Sequence, residues 1–112
     1  THKTSSAASD VYKRQSTDHK IKEIQVNSKS RLSYQSHAKR SEVWTVINGE
    51  AHVIINDVSH TLNLNDSIFI PAGSKHRLEN KTDKELNIIE IQTGSYFGED
   101  DIIRYEDDYN RV

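Results

Sequence analysis

Residues 35–49 read QSHAKRSEVWTVING. Gln35 and His37 are two positions apart, so on a strand both side chains leave the same face. Glu42 follows after a loop-length gap and opens Val43-Trp44-Thr45-Val46-Ile47, a run of β-branched and aromatic residues that favours a strand. A chain folded back at the gap returns the carboxylate to the Gln/His pair. A second polar group lies in IPAGSKHRLEN, residues 70–80, where Pro71 and Gly73 read as a turn launching a strand with His76 near its start. Two imidazoles, one amide oxygen and one carboxylate make a mixed N/O donor set suited to a divalent Zn, Co, Mn, Ni or Fe(II) ion. With a single anionic ligand the bound dication keeps a net positive charge and can act as a Lewis acid.

Outward from these two stretches the chain is a succession of short β-type runs separated by turn residues. Strands are predicted at Ile21–Val26, Arg31–Gln35, Val43–Ile47, Ala51–Ile55, Ser59–Leu62, Ser67–Ile70, His76–Glu79 and Leu86–Gln92, with breaks that include Asn48-Gly49, Asn56-Asp57 and Pro71 to Gly73. Strands recurring every ~8–12 residues point to an all-β sandwich or barrel. Asn48-Gly49, flanked by two such runs, predicts a hairpin joining Val43–Ile47 to Ala51–Ile55. One helical turn is expected around Glu99 to Arg104. Trp44 and Phe69 are expected in the core, and Tyr96 and Phe97 against the last segment. His52 and His60 are read as solvent-facing or satisfied barrel residues.

Composition narrows the functional classes. The chain has 112 residues, 15 Lys and Arg against 17 Asp and Glu, no Cys and no Met. One domain is the most this length holds. The absence of Cys excludes disulfides and thiolate metal clusters. A net charge of −2 gives no general field for nucleic acid or anionic lipid. No apolar run approaches the ~18 residues of a membrane-spanning helix, and the first residues lack the apolar centre of a signal peptide, so a cytoplasmic protein is expected.

Residues 1–15 are small and polar, without the periodicity of a helix or strand. Ser5 to Gln15, SSAASDVYKRQ, is similar to the translation of a transposon-type sequencing adapter. Residues 1–15 are therefore expected to be a non-native or disordered leader, with the domain occupying residues 16–112. Without an initiating Met, the sequence is read as a fragment of a longer chain.

The two polar stretches resemble the paired motifs of the cupin superfamily. The first cupin motif, H-x-H, four residues, E, six residues, G, corresponds to Gln35, His37, Glu42 and Gly49, with Gln in the first His position. The second, G, five residues, P-x-G-x-x-H-x-x-x-N, corresponds to Asn65, Pro71, Gly73, His76 and Asn80, with Asn in the first Gly position. The resemblance implies a double-stranded β-helix, or jelly-roll barrel, with a metal site of Gln35, His37, Glu42 and His76 in its mouth.

A narrower resemblance covers about Lys20 to Arg111. LSYQSHAKRSEVW, IPAGSKHRLEN, IIEIQTGSYFGEDDIIR and EDDYNR look like the C-terminal domain of type II mannose-6-phosphate isomerases, which usually follows a mannose-1-phosphate guanylyltransferase domain in one bifunctional chain. Three departures stand out. The family's E-H-W is Glu42-Val43-Trp44 here, removing a His expected to line or tune the site. The Gly before its last Arg is Asn110, and its R-P-W-G segment before the first strand is missing.

That resemblance implies interconversion of mannose 6-phosphate and fructose 6-phosphate, serving the GDP-mannose pathway to surface polysaccharide. It makes Arg104 and Arg111 the first candidates for the substrate phosphate, with Arg40 and Lys75 as weaker ones, since Arg suits bidentate phosphate contacts. No residue is assigned as the proton-transferring base. The alternative is a non-catalytic cupin that binds a sugar phosphate or serves as an oligomerising module. A metal-dependent oxygenase fits less well, because its facial site uses two His and one carboxylate without the extra Gln. Ile21–Val26, read as an exposed edge strand, is a candidate for edge pairing into a homodimer, and the sequence leaves the oligomeric state open.

Overall fold

Alternating inward and outward side chains along successive strands produce two antiparallel sheets that face each other across an apolar interior. The computed structural model describes residues 2–3, 8–15 and 19–108, with side chains from residue 19 onward. The strands are β1 (His2–Lys3), β2 (Ala8–Gln15), β3 (His19–Val26), β4 (Ser30–Arg31), β5 (Tyr34–His37), β6 (Arg40–Asn48), β7 (Ala51–Ile55), β8 (Val58–Leu62), β9 (Ser67–Ile70), β10 (His76–Asn80), β11 (Leu86–Gly94) and β12 (Ile102–Glu106). One sheet is ordered β1-β2-β3-β11-β6-β9 and the other β12-β5-β10-β7-β8, with β4 paired to β10. Every second residue turns inward. Ile24, Val26, Trp44, Val46, Ala51, Val53, Leu62, Ile70, Leu78, Leu86 and Ile88 form one buried cluster between the sheets. This is the double-stranded β-helix expected from the motifs.

The hairpin expected at Asn48-Gly49 does not form. β6 pairs with β11 and β9 in one sheet, while β7 pairs with β10 and β8 in the other. Gly49 instead marks the corner where the chain changes sheets. Its φ is +93°, and a Cβ there would lie 2.7 Å from the Glu85 carbonyl oxygen and 3.2 Å from Leu86 Cα. The tight hairpin is one strand further on. Asn56 and Asp57 have φ of 47° and 69°, the paired positive values of a type I′ turn, and join β7 to β8. Asn65 stands where the second motif has Gly, and its φ of 73° is one that Asn tolerates.

Sheet pairing bears on four other expectations. Residues 8–15, read as part of the leader, run beside β3 in register from Ala8↔Val26 to Gln15↔Lys20. A sheet edge offers unpaired backbone groups to a neighbouring segment whatever its side chains. Hence β3 lies between β2 and β11, and Ile21–Val26 is not the exposed edge expected to support a dimer. The helical turn is a single 3-10 turn at Glu99–Asp101, because Ile102–Glu106 continues as β12 against β5. Phe69 is 58% exposed rather than in the core, since Ile68 and Ile70 take the inward positions of β9.

Asn80, the last residue of the second motif, proves structural. Its amide nitrogen reaches the carbonyls of Val26, Asn27 and Lys84 at 3.1, 3.2 and 2.7 Å, and its oxygen accepts from the Thr82 backbone N–H at 3.0 Å. Among the described residues no helix is long and apolar enough to cross a membrane. Replacing Gly49 by Ala is expected to lower unfolding stability by about 1–3 kcal/mol, through both its positive φ and the contact with Glu85. Chemical denaturation at constant m-value measures this.

Candidate metal centre

The inward rows of β5, β6, β10 and β11 change from apolar to polar toward one end of the barrel. On β6 the sequence Val46, Trp44, Glu42, Arg40 is buried at every second position, and on β11 the same holds for Leu86, Ile88, Glu90 and Gln92. β5 contributes His37 and β10 contributes His76, each 2% exposed. The turn before β10 is held by Ser74, whose N–H and Oγ both donate to the Pro71 carbonyl, at 3.2 and 2.6 Å. Gly73, at φ +83°, donates its N–H to the His37 carbonyl at 2.7 Å, which ties the two motifs together.

His37, Glu42 and His76 offer three ligand atoms that all lie within 4.8 Å of one another. His37 Nδ1 is 3.6 Å from Glu42 Oε2, and His76 Nε2 is 3.8 Å from Glu42 Oε1. Both ring nitrogens are buried and have no hydrogen-bond partner. Ligand atoms ~2.1 Å from a shared ion lie ~3.0–3.4 Å apart, so the trio must close by up to about 1.4–1.8 Å to hold one. His76 Nδ1 lies 3.1 Å from the Ser74 carbonyl and donates to it, which leaves the Nε2 lone pair facing Glu42. The Trp44 ring stands edge-on to the His76 ring, with centroids 5.6 Å apart.

Glu42, itself 2% exposed, accepts from Arg40 Nε at 3.0 Å and from Trp44 Nε1 at 3.1 Å. Trp44 Nε1 also donates to Glu90 Oε2 at 2.9 Å. Glu90 in turn accepts from Gln92 Nε2 and has Lys22 Nζ at 3.7 Å. Burial and the neighbouring Glu90 charge push the Glu42 carboxyl up to about 8, with Arg40 pulling the other way. Burial, followed by the charge of Arg40, brings the His37 imidazole down to about 2, and burial also lowers His76.

The other expected site residues are placed less uniformly. Gln35 lies across from His76 on one side and from Arg104 on the other, half-buried and on the His37 face of β5. Arg104 is half-buried, and its Nε is buried without a hydrogen-bond partner. Arg40 is not at the rim: it is 6% exposed and bonded to the cluster. Lys75 faces outward, its Nζ 4.5 Å above the Tyr105 ring. Arg111 lies outside the described residues. His52 and His60 do not join the cluster. Glu90 and Gln92 are the residues that the motifs did not mark. Their signal is the alternation Ile88, Glu90, Gln92, in which polar side chains continue an apolar inward row.

Val43 lies on the outer face, between the inward Glu42 and Trp44, in register with Ile91 and Phe69. A side chain at position 43 therefore does not line the site, contrary to the expectation for the family's His. Val43→His is expected to leave Zn affinity unchanged within about twofold by calorimetric titration. A second expectation concerns the metal-free protein. His37 takes up a proton on unfolding below its ordinary value of 6.5, so its stabilisation is complete above pH 6.5 and is lost as pH falls. Glu42 has the opposite sign: its folded value near 8 costs stability as pH rises from 4.5 to 8. In thermal and denaturant melts with chelator, His37→Gln should remove part of the acid limb and Glu42→Gln part of the alkaline limb. Each slope is at most about 1.4 kcal/mol per pH unit.

The family described as mannose-6-phosphate isomerase C-terminal matches residues 7–107. Mannose-1-phosphate guanylyltransferase ManC of Salmonella typhimurium is 45% identical over 94 residues, covering 84% of this chain and 20% of that protein. Alginate biosynthesis protein AlgA of Pseudomonas aeruginosa is 48% identical over 92 residues, covering 82% of this chain and 19% of that one. The chain thus spans about a fifth of the length of these relatives. Among solved structures, a Klebsiella pneumoniae protein with a double-stranded β-helix domain superposes with a TM-score of 0.76 at 18% identity, covering 94% of this chain and 90% of that one. A sugar phosphate isomerase of the cupin superfamily from Silicibacter pomeroyi gives a TM-score of 0.65 at 14% identity, covering 80% and 68%. With a cupin barrel, a buried His/Glu/His cluster and a family match across nearly its whole length, the chain belongs to the mannose-6-phosphate isomerase C-terminal family.

Proposed function

We propose that this domain interconverts mannose 6-phosphate and fructose 6-phosphate with a divalent ion held by His37, Glu42 and His76, and with Gln35 as a further ligand. The observation that carries the proposal is the buried trio with two unpartnered imidazole nitrogens, inside a chain of this family. Its two nitrogens and one carboxylate oxygen suit Zn, Co, Mn, Ni or Fe(II). Bound there, the ion supplies a Lewis acid that stabilises negative charge on a sugar oxygen while the neighbouring carbon loses a proton. The protein's part is to exclude water, orient the sugar and neutralise its phosphate. Arg104 is the favoured phosphate contact, since its buried Nε has no partner and it sits across from Gln35. Arg111, outside the described residues, is the second candidate on the sequence resemblance alone.

The names of the relatives, which concern mannose-1-phosphate guanylyl transfer and the biosynthesis of alginate and xanthan, support a place in the supply of GDP-mannose for surface polysaccharide. In that reading a guanylyltransferase domain precedes this one in the parent chain, and the sequence resemblance points the same way.

The test is to load the chain with Zn or Co and assay mannose 6-phosphate turnover. His37→Ala and His76→Ala should each remove activity to background together with metal binding. Arg104→Gln should raise KM at least about tenfold while leaving metal affinity intact, because one charge-assisted contact is worth roughly 1.5–3 kcal/mol. Metal binding by the wild type without turnover would favour a non-catalytic sugar-phosphate-binding module instead.

A further inference from the structure

Arg40 holds the one lone pair that His37 has to give. Its Nη2 lies 2.7 Å from His37 Nε2, its Nε 3.0 Å from Glu42 Oε2, and its Nη1 3.3 Å from the Phe97 carbonyl. A guanidinium has only N–H groups, so in the contact with His37 it is Nε2 that accepts. A neutral imidazole with its lone pair on Nε2 carries its proton on Nδ1, the nitrogen that faces Glu42. An ion needs that lone pair. If it is taken at Nε2, the ion replaces Arg40 directly. If it is taken at Nδ1, the proton moves to Nε2 and confronts the Arg40 N–H. On either nitrogen, His37 cannot ligate while Arg40 keeps this contact. His76 is set differently, because the Ser74 carbonyl already fixes its proton on Nδ1 and leaves Nε2 open.

We propose that Arg40 is a latch on the metal centre: in the metal-free chain its guanidinium occupies His37 and Glu42 as an internal counter-cation, and an entering divalent ion must displace it. This rests on the metal reading of the trio. Metal loading then exchanges one buried cation for another, so Glu42 is never left unpaired in the barrel. It also releases the tie to the Phe97 carbonyl, in the segment between β11 and the 3-10 turn.

Calorimetric titration of the chain with Zn tests the latch, using Arg40→Gln, which removes the charge, and Arg40→Lys, which keeps the charge but loses the planar fork that bridges two partners. Both variants are expected to bind Zn at least about tenfold more tightly than the wild type. Simple repulsion between Arg40 and the ion would tighten binding in Arg40→Gln alone, and that pattern overturns the proposal. Wild-type protein supplies a second measurement that does not depend on how the variants fold. The Arg40 Nε–H resonance, identified by its loss in Arg40→Lys or by selective assignment, should be protected from exchange without metal and lose that protection at saturating Zn. An unchanged resonance with Zn bound removes the latch and leaves the metal site standing. Failure of wild type and both variants to bind Zn removes the metal reading and the latch together.

Discussion

The buried carboxyl of Glu42 is the constraint around which one half of the barrel is arranged. A carboxylate that is 2% exposed has lost its hydration and must be neutralised by what surrounds it. Arg40 supplies the charge, the Trp44 indole supplies a donor, and Glu90 pulls in the opposite direction from across the indole. Glu90 brings its own partners, Gln92 and Lys22. The result is a connected polar network in which removing one member leaves another group buried without compensation.

The same strands carry the apolar core and the polar network. Toward one end, Val46, Ile88 and Leu78 close the space between the sheets, and toward the other the rows become Glu42, Glu90 and His76. Trp44 is the boundary, with its ring in the core cluster and its N–H shared between two carboxylates. An apolar half beneath a polar half is what positions a site well, since side chains on paired strands have little freedom to drift. The two imidazoles then differ through their neighbours alone. A backbone carbonyl fixes the proton of His76, whereas the buried Arg40 guanidinium fixes that of His37.

The buried His37, Glu42 and His76 cluster was legible in the sequence because its spacing is local: His37 and Glu42 on either side of one loop, and His76 after a Pro/Gly turn. Glu90 and Gln92 were not legible, because polar residues in an alternating strand are assigned to solvent until the partner sheet is known to cover them. Phe69, and the family's His at position 43, depart from expectation for a related reason. Their hydrophobicity or motif position suggested an inward role, and the pleat turned both outward. The Asn48-Gly49 hairpin failed because a positive φ is needed at a sheet-changing corner as much as in a hairpin.

Local pattern by itself determined the strand periods, the metal-type donor set and the family, since each depends on residue type at fixed intervals along the chain. Tertiary structure alone decided which strands pair, which face of each is interior, and that Arg40 points at its own neighbours rather than at the rim. Those outcomes depend on contacts between residues far apart in sequence. Gly49 against Glu85 and Trp44 against Glu90 are two of them, and no local propensity encodes either.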